Sequence, residues 1–157
     1  MITYRNVSKK YSEFNLKIDS LDLVENNVHA LLGENGAGKT TTIRMTLGLL
    51  KPTSGEILFD GRDVFRDASV KQKIGYVPDV PNLYESLTGY EQVNFIANLY
   101  KCSNDNYIRE LMQKFNIFEE KDQVISSYSK GMKQKISIIC ALVHKPEILI
   151  LDEPFTA

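Results

Sequence analysis

The fold class of this chain is decided by the stretch Gly33-Glu34-Asn35-Gly36-Ala37-Gly38-Lys39-Thr40. It satisfies the pattern G-x-x-x-x-G-K-[ST] of a P-loop. Glycines let the backbone wrap so that several N–H groups point at one anion, and the start of the following helix adds positive potential. The stretch therefore predicts a loop that binds phosphate.

The segments on either side of the loop fit this prediction. Val28 to Gly33 (VHALLG) is a short apolar run, typical of a strand covered on both faces, and residues 40–50 carry apolar side chains at helical spacing. Between such elements we expect Lys39 to reach the β- and γ-phosphates of ATP and the Thr40 hydroxyl to bind Mg²⁺. The predicted ATP-binding residues of the loop are Gly33, Glu34, Asn35, Gly36, Ala37, Gly38, Lys39, Thr40 and Thr41.

A second motif lies near the end of the sequence. Four apolar residues, 148–151, are followed by Asp152 and Glu153, which is the Walker B pattern of a buried strand ending in two carboxylates. Asp152 is expected to hold Mg²⁺, usually through water, and Glu153 to act as the general base that polarises an attacking water. Acids after a strand are a weak signal alone, but together with the P-loop they indicate an ATP-hydrolysing site.

Strands precede helices in the rest of the chain. The alternation Phe14, Leu16 and Ile18 predicts antiparallel strands, and GEILFDG (55–61) and KIGYVP (73–78) each predict another strand. With the apolar run before Asp152, these elements favour an α/β fold that has an antiparallel β part at its start and a P-loop (RecA-like) parallel sheet core.

Helices dominate after residue 81. Thr88 and Glu91 form a capping-box signature for a helix running to about Tyr100. Apolar residues at helical spacing in 108–115 and 136–143 predict two more helices. Together these segments predict a helical insertion ahead of the last strand.

Composition limits the function classes. Lys and Arg number 19 against 20 for Asp and Glu, so no overall charge favours nucleic acid as a partner. No apolar run approaches the roughly 20 residues that span a bilayer, and Cys102 and Cys140 are too far apart in sequence for a CxxC motif. Cys140 is expected to be a buried small hydrophobe. Of the two histidines, His29 is expected inside a strand and His144 at a helix end that favours a cation.

A third segment, Tyr128-Ser129-Lys130-Gly131-Met132-Lys133-Gln134, precedes the last predicted helix. It resembles the signature of the ABC transporter ATPases, typically Leu-Ser-Gly-Gly-Gln. The resemblance implies that Ser129 and Gly131 contact the γ-phosphate of ATP held by an opposing subunit. Tyr128, Lys130 and Met132 depart from the typical form, and SKGMKQ is similar to the variant found in exporter subunits of this family. Without the other motifs, the segment would read simply as a polar helix cap.

Two further residues take their expected roles from this resemblance. Tyr11 matches the aromatic residue that stacks on adenine, and stacking of a base on an aromatic ring is worth about 1–3 kcal/mol. Asp79 stands where the family usually has a Gln that binds Mg²⁺. Its carboxylate is shorter and charged, but it remains an oxygen ligand suited to Mg²⁺.

The resemblance covers residues 1–157 and implies one partial ABC ATPase domain. Its helical insertion is expected over about 84–124, and Phe155-Thr156-Ala157 is similar to the start of the D-loop. We expect the domain to lack its C-terminal strands and switch histidine. The implied cofactors are ATP and Mg²⁺. The implied partners are an integral-membrane permease and a second ATPase subunit, identical or paired, on the inner face of the cell membrane, with the chain cytoplasmic and peripheral.

Two other readings stay open at this point. The chain could belong to the soluble ABC proteins of translation or DNA repair, which normally carry two fused ATPase domains or a long coiled-coil insertion. It could also be a nucleotide-binding fragment without turnover, because an incomplete sheet would leave the phosphate-binding and acidic residues poorly positioned.

Overall fold

The computed structural model describes residues 1–153 and divides the chain into two compact units, Met1–Lys71 and Gln72–Ala157. Each unit has its own β-sheet. The predicted start of the D-loop, residues 155–157, lies outside the described residues.

The first unit is built on a four-stranded antiparallel sheet. Its strands are β1 (Ile2–Lys10), β2 (Asn15–Leu23), β3 (Ser54–Phe59) and β4 (Arg62–Asp63), in the order β2-β1-β3-β4. The predicted antiparallel start of the chain is therefore confirmed.

One face of this sheet forms the core of the first unit. Ile2 lies opposite Phe59 and Tyr4 opposite Ile57, and all four side chains are buried, as strand alternation requires. The hydroxyl of Tyr4 shares a hydrogen bond of 2.5 Å with Oγ1 of Thr46. This bond ties the sheet to the helix that follows the P-loop.

That helix, α1 (Lys39–Thr46), is shorter than its apolar spacing predicts. Gly48 adopts a φ of 64°, and its N–H donates to Met45 O while Leu49 N–H donates to Arg44 O. This is a Schellman motif, which ends a helix at a left-handed glycine. A Cβ at position 48 would also lie 2.3 Å from Val64 O, so both conformation and space require glycine.

The prediction of a strand over Val28 to Gly33 is wrong. The segment has no strand geometry, and Val28 and Leu32 are 100% and 87% exposed. His29, also outside any strand, is exposed, and its Nε2 lies 3.0 Å from Val24 O. Among residues 1–153, no backbone hydrogen bond of this segment to a neighbouring strand is found. Apolar composition does not make a strand without a hydrogen-bonded neighbour.

The second unit contains a two-stranded parallel sheet and three helices. Strand β5 (Ile74–Val77) pairs with β6 (Ile148–Leu151), which confirms both predicted strands. Between them in sequence lie α2 (Gly89–Leu99), α3 (Asp105–Lys114) and α4 (Lys130–Leu142). With the antiparallel sheet of the first unit, these elements confirm the α/β class.

The three helices predicted from apolar spacing are confirmed, and α2 begins at the predicted capping box. Thr88 Oγ1 accepts a hydrogen bond from Glu91 N–H, and Glu91 Oε2 accepts one from Thr88 N–H, completing the capping box. At the start of α3, Oδ1 of Asn104 accepts a hydrogen bond from Tyr107 N–H at 3.1 Å, without the reciprocal bond of a capping box. The helices share one core, whose fully buried members include Val93, Ala97, Ile108, Met112, Ile136 and Ile139. Within residues 1–153, none of the helices combines the length and apolar character needed to cross a membrane.

Two partly buried residues of the second unit, Cys140 and His144, test smaller expectations. Cys140 is partly rather than fully buried. Burial raises the pKa of its thiol to about 12, so the thiol stays uncharged, as expected of a small hydrophobe. His144 was expected to suit a cation, but burial lowers its pKa. Its ring stacks on Tyr100 with centroids 3.9 Å apart, and Nδ1 is buried without a hydrogen-bond partner among the described residues. The neutral form is therefore favoured.

Candidate functional site

The glycine-rich loop of the first unit has the backbone that an anion cradle needs. Gly36 and Gly38 adopt φ angles of 85° and 98°, and Ala37 N–H donates to Glu34 O at 3.1 Å. Gly33 to Ala37 are exposed. Left-handed glycines of this kind turn successive N–H groups toward one side of a loop.

Lys39 folds back over this loop. Its Nζ donates to Gly33 O at 2.7 Å and to Glu34 O at 3.3 Å. The ammonium group is therefore held above the loop, from where it can donate to an anion. Lys39 also begins α1, so it joins the loop to the helix start.

The first turn of α1 offers its N–H groups to a ligand. Gly38 is the N-cap and makes no side-chain capping bond, and the first N–H groups of any helix have no partner within the helix. Thr40 is exposed in this turn and Thr41 is half-buried. Thr42 turns its hydroxyl inward, donating to Gly38 O at 3.0 Å. The turn thus places two hydroxyls and a positive helix end beside the loop.

An aromatic pair lies next to the loop. Tyr11 stacks on Phe14 with centroids 6.5 Å apart and 30° between planes, and Tyr11 is 49% exposed. A Cβ at Gly38 would lie 3.0 Å from Phe14 Cζ and 3.2 Å from Leu16 Cδ1. Phe14 therefore contacts both the predicted adenine platform and the loop. The sequence predicts Phe14 only as a strand residue, although its place three residues after Tyr11 is a signal for this pairing.

The second unit presents acids at one edge of its parallel sheet. Val77 pairs with Leu151, so Asp79 and the pair Asp152 and Glu153 follow the same ends of neighbouring strands. Asp79 and Glu153 are exposed, whereas Asp152 is 7% exposed. Carboxyl ends of parallel strands are where α/β sheets bind ligands.

Asp152 is held by two contacts to β5. Its N–H donates to Val77 O at 2.9 Å, and its Oδ2 accepts from the hydroxyl of Tyr76 at 3.3 Å. Glu153 follows with a φ of 48°, a conformation that non-glycine residues adopt rarely and that is often found at functional sites. The sequence analysis assigns no role to Tyr76. The available signal is an aromatic residue one position before the end of β5.

Carboxylate and hydroxyl oxygens are ligands that suit Mg²⁺. Within the described part of the chain, no three His, Cys, Asp or Glu side chains lie close enough to hold a metal ion. A cation here would therefore need further oxygens from a nucleotide or water, which is how Mg²⁺ is commonly held in ATPases.

The signature segment caps the last helix of the second unit. Ser129 is the N-cap of α4, and its Oγ accepts from Met132 N–H at 3.3 Å. Gly131 is exposed, with nothing within 4 Å of a Cβ built on it. Both residues therefore stand at an open helix start, where the dipole favours an anion.

The structure thus groups the predicted residues by unit. The first unit brings together Tyr11 and the loop 33–41. The second places Asp79, Asp152 and Glu153 at one sheet edge, and Ser129 and Gly131 at the start of α4.

The chain is similar in sequence and fold to several known proteins. The family model for the ABC transporter matches residues 16–156. The chain is 40% identical to the bacitracin transport ATP-binding protein BcrA of Bacillus licheniformis, over 86% of this chain and 44% of that protein. It is 39% identical to the zinc import ATP-binding protein ZnuC of Rickettsia conorii, over 98% of this chain and 62% of that protein.

A solved structure described as the ATP binding subunit of an ABC transporter superposes with a TM-score of 0.86 at 34% identity. The superposition covers 99% of this chain and 67% of that one. The chain spans about half the length of the curated relatives it matches.

Proposed function

This chain belongs to the ABC transporter family, and on that premise we propose that it binds MgATP and hydrolyses it to drive a membrane permease. The observation that carries the proposal is Lys39, whose Nζ lies 2.7 Å from Gly33 O and 3.3 Å from Glu34 O. A positive charge fixed over a loop of left-handed glycines, at an uncapped helix start, is suited to a polyphosphate.

Each part of the loop has a role toward the nucleotide. The N–H groups of the loop and Lys39 bind the β- and γ-phosphates, and Tyr11, supported by Phe14, stacks on adenine. Stacking is tolerant of the base, since every purine has a π-face. The phosphates therefore supply most of the recognition.

We assign the metal ligands by their chemistry. Thr40 offers a hydroxyl, and Asp152 and Asp79 offer carboxylates, all hard oxygen donors. When bound, Mg²⁺ would neutralise charge on the phosphate oxygens. Tyr76 orients the Asp152 carboxylate through its hydroxyl.

Glu153 is the proposed general base. It is exposed beyond β6 and can accept a proton from a water molecule, as a carboxylate in that position does in phosphoryl transfer. Ser129 and Gly131, at the open start of α4, would bind the γ-phosphate of ATP held by a second ATPase subunit, identical or paired.

The partner is proposed to be an integral-membrane permease, contacted through the helical insertion of about 84–124, with the chain on the cytoplasmic face. On α2, Phe95 meets Tyr84 edge to face at 5.5 Å, and both rings are partly exposed. Exposed aromatic pairs are typical of protein interfaces. Co-purification from native membranes tests this, and a Tyr84→Ser/Phe95→Ser variant should lose the membrane protein. Phe65→Ser, which changes an exposed aromatic residue outside the insertion, should keep it.

We propose export as the direction of transport. The support is the segment Ser129-Lys130-Gly131-Met132-Lys133-Gln134, which is similar to the signature variant of exporter subunits. Sequence identity alone does not decide the direction of transport, since BcrA and ZnuC are almost equally identical to this chain. Transport by inside-out and right-side-out vesicles of the assembled complex, each supplied with ATP, separates the directions.

A phosphate-release assay tests the activity itself. The protein carrying this chain, assembled with its membrane partner, should release phosphate from ATP only with Mg²⁺, and Lys39→Ala should abolish the release. Release without Mg²⁺ dependence would contradict the proposal. Tight ATP binding without release would favour the second candidate, a nucleotide-binding unit without turnover, which the exposed segment before the P-loop supports.

A further inference from the structure

Tyr128, the residue before the signature serine, is unusually constrained. Its side chain is 5% exposed and belongs to the core formed by the helices of the second unit. Its hydroxyl donates to Glu120 O at 2.6 Å. The typical ABC signature has leucine at this position. Leucine could fill the same core but could not make this hydrogen bond.

The first residue of α2 leaves room for that hydroxyl. A Cβ at Gly89 would lie 2.3 Å from Tyr128 Oη and 3.1 Å from Cζ. Glycine disfavours a helix relative to alanine because it loses more conformational freedom. Gly89 does not have a positive φ, so the close approach of Tyr128, rather than backbone conformation, requires glycine here.

The start of α2 and Tyr128 hold the same loop. Gly89 N–H donates to Gln123 O at 3.3 Å, and Tyr90 N–H donates to Lys121 O at 2.9 Å. With the bond from Tyr128 to the neighbouring carbonyl of residue 120, three carbonyls of one short loop are fixed. Hydrogen bonds therefore join this loop to both the start of α2 and Tyr128.

The chain on both sides of Tyr128 is attached to the segment before α2. Ser126 N–H donates to Glu85 O at 3.0 Å, and Ile125 N–H donates to Leu87 O at 2.9 Å. On the far side, Lys133 Nζ lies 2.5 Å from Glu85 Oε1. The residues between these attachments are the signature itself.

We propose that Tyr128 is a positioning residue, which uses its hydroxyl and the space at Gly89 to set where Ser129 and Gly131 stand at the start of α4. The inference rests on the proposed function, which gives the signature its phosphate ligand. Burial raises the pKa of Tyr128, so the hydroxyl stays protonated at neutral pH and can donate.

Tyr128→Phe removes the hydroxyl and keeps the ring. Loss of one hydrogen bond should speed amide hydrogen exchange in residues 129–133 about two- to tenfold. ATP-driven association of two subunits, measured in a Glu153→Gln background, should weaken by a similar factor. The thermal midpoint should fall by only a few degrees, as expected for the loss of about 1 kcal/mol, and the ATP affinity of the single subunit should stay at the parent value. Tyr107→Phe, on α3, is the matched control and should change neither exchange nor association.

A double substitution decides whether Tyr128 and Gly89 act together. Gly89→Ala should speed exchange in residues 129–133 by displacing the phenol, but should add little in a Tyr128→Leu background, where no hydroxyl occupies that space. Additive effects, or unchanged exchange in Tyr128→Phe, would overturn the positioning role. Absence of ATP-driven association in Glu153→Gln with Tyr128 intact would instead overturn the proposed binding of ATP between two subunits, and the exchange measurements would still decide the role of Tyr128.

Discussion

The hydroxyl of Tyr76 donates to Oδ2 of Asp152 at 3.3 Å, from β5 to the residue that follows β6. The backbone of Asp152 is held as well, since its N–H donates to Val77 O at 2.9 Å. A carboxylate that is 7% exposed needs such partners, because burial without hydrogen bonds is costly. Tyr76 therefore orients one acid that we assign to Mg²⁺.

Tyr76→Phe should weaken ATP binding in Mg²⁺ about fivefold, the equivalent of one hydrogen bond of about 1 kcal/mol. It should leave binding in EDTA unchanged, because only the metal-bound form uses the orientation of Asp152. Titration calorimetry in both buffers measures this. Asp152→Asn should remove most of the difference between the buffers, and an equal loss in both for Tyr76→Phe would contradict the assignment.

Glu153→Gln should keep ATP bound but stop its hydrolysis, because the amide has nearly the same shape yet cannot accept the proton of water. The variant should also hold the ATP-bound pair of subunits together. Phosphate release and size-exclusion chromatography with ATP are the measurements. Parent-level turnover in Glu153→Gln would show that another group is the base.

Local sequence signals predicted the second unit well. The capping box at Thr88 and the spacing of Ile108, Leu111 and Met112 depend only on residues within one or two turns. Ser129 was likewise readable as a helix cap. Each of these features is decided within a few residues along the chain.

Non-local geometry explains the failures. Val28 to Gly33 has the composition of a strand, but a strand depends on a neighbour that the segment's own residues do not specify. The early end of α1 depends on Gly48, whose approach to Val64 O is invisible in sequence. Contacts of Phe14 with the P-loop and of Tyr76 with Asp152 also join segments far apart along the chain.

The capping box should contribute measurably to the free energy of unfolding. Thr88→Ala removes the acceptor for Glu91 N–H and should lower the free energy of unfolding by about 1 kcal/mol. Urea unfolding followed by circular dichroism gives this value. Thr88→Ser keeps the cap oxygen and should retain most of the stability; an equal loss in both variants would indicate lost packing instead.

Stability should fall as the pH drops through the range of His144. Burial lowers the pKa of His144 from its ordinary value of 6.5, so below that pH the unfolded state binds more protons than the folded state. The free energy of unfolding therefore decreases from neutral pH down to the folded pKa. Urea unfolding should show this loss when it is measured at about pH 7.5 and about pH 5.5, which lie about one unit either side of the ordinary histidine pKa. His144→Gln should flatten the slope, while the matched His29→Gln should keep it.

The central claim is that the Gly33–Thr40 loop binds ATP through Lys39, and calorimetric titration of ATP tests it most directly. Lys39→Ala loses charge-assisted hydrogen bonds and should raise the Kd by about ten- to a hundredfold. Lys17→Ala removes the same charge from the exposed β2 position and should bind like the parent. Equal affinities for the parent and Lys39→Ala would contradict the account.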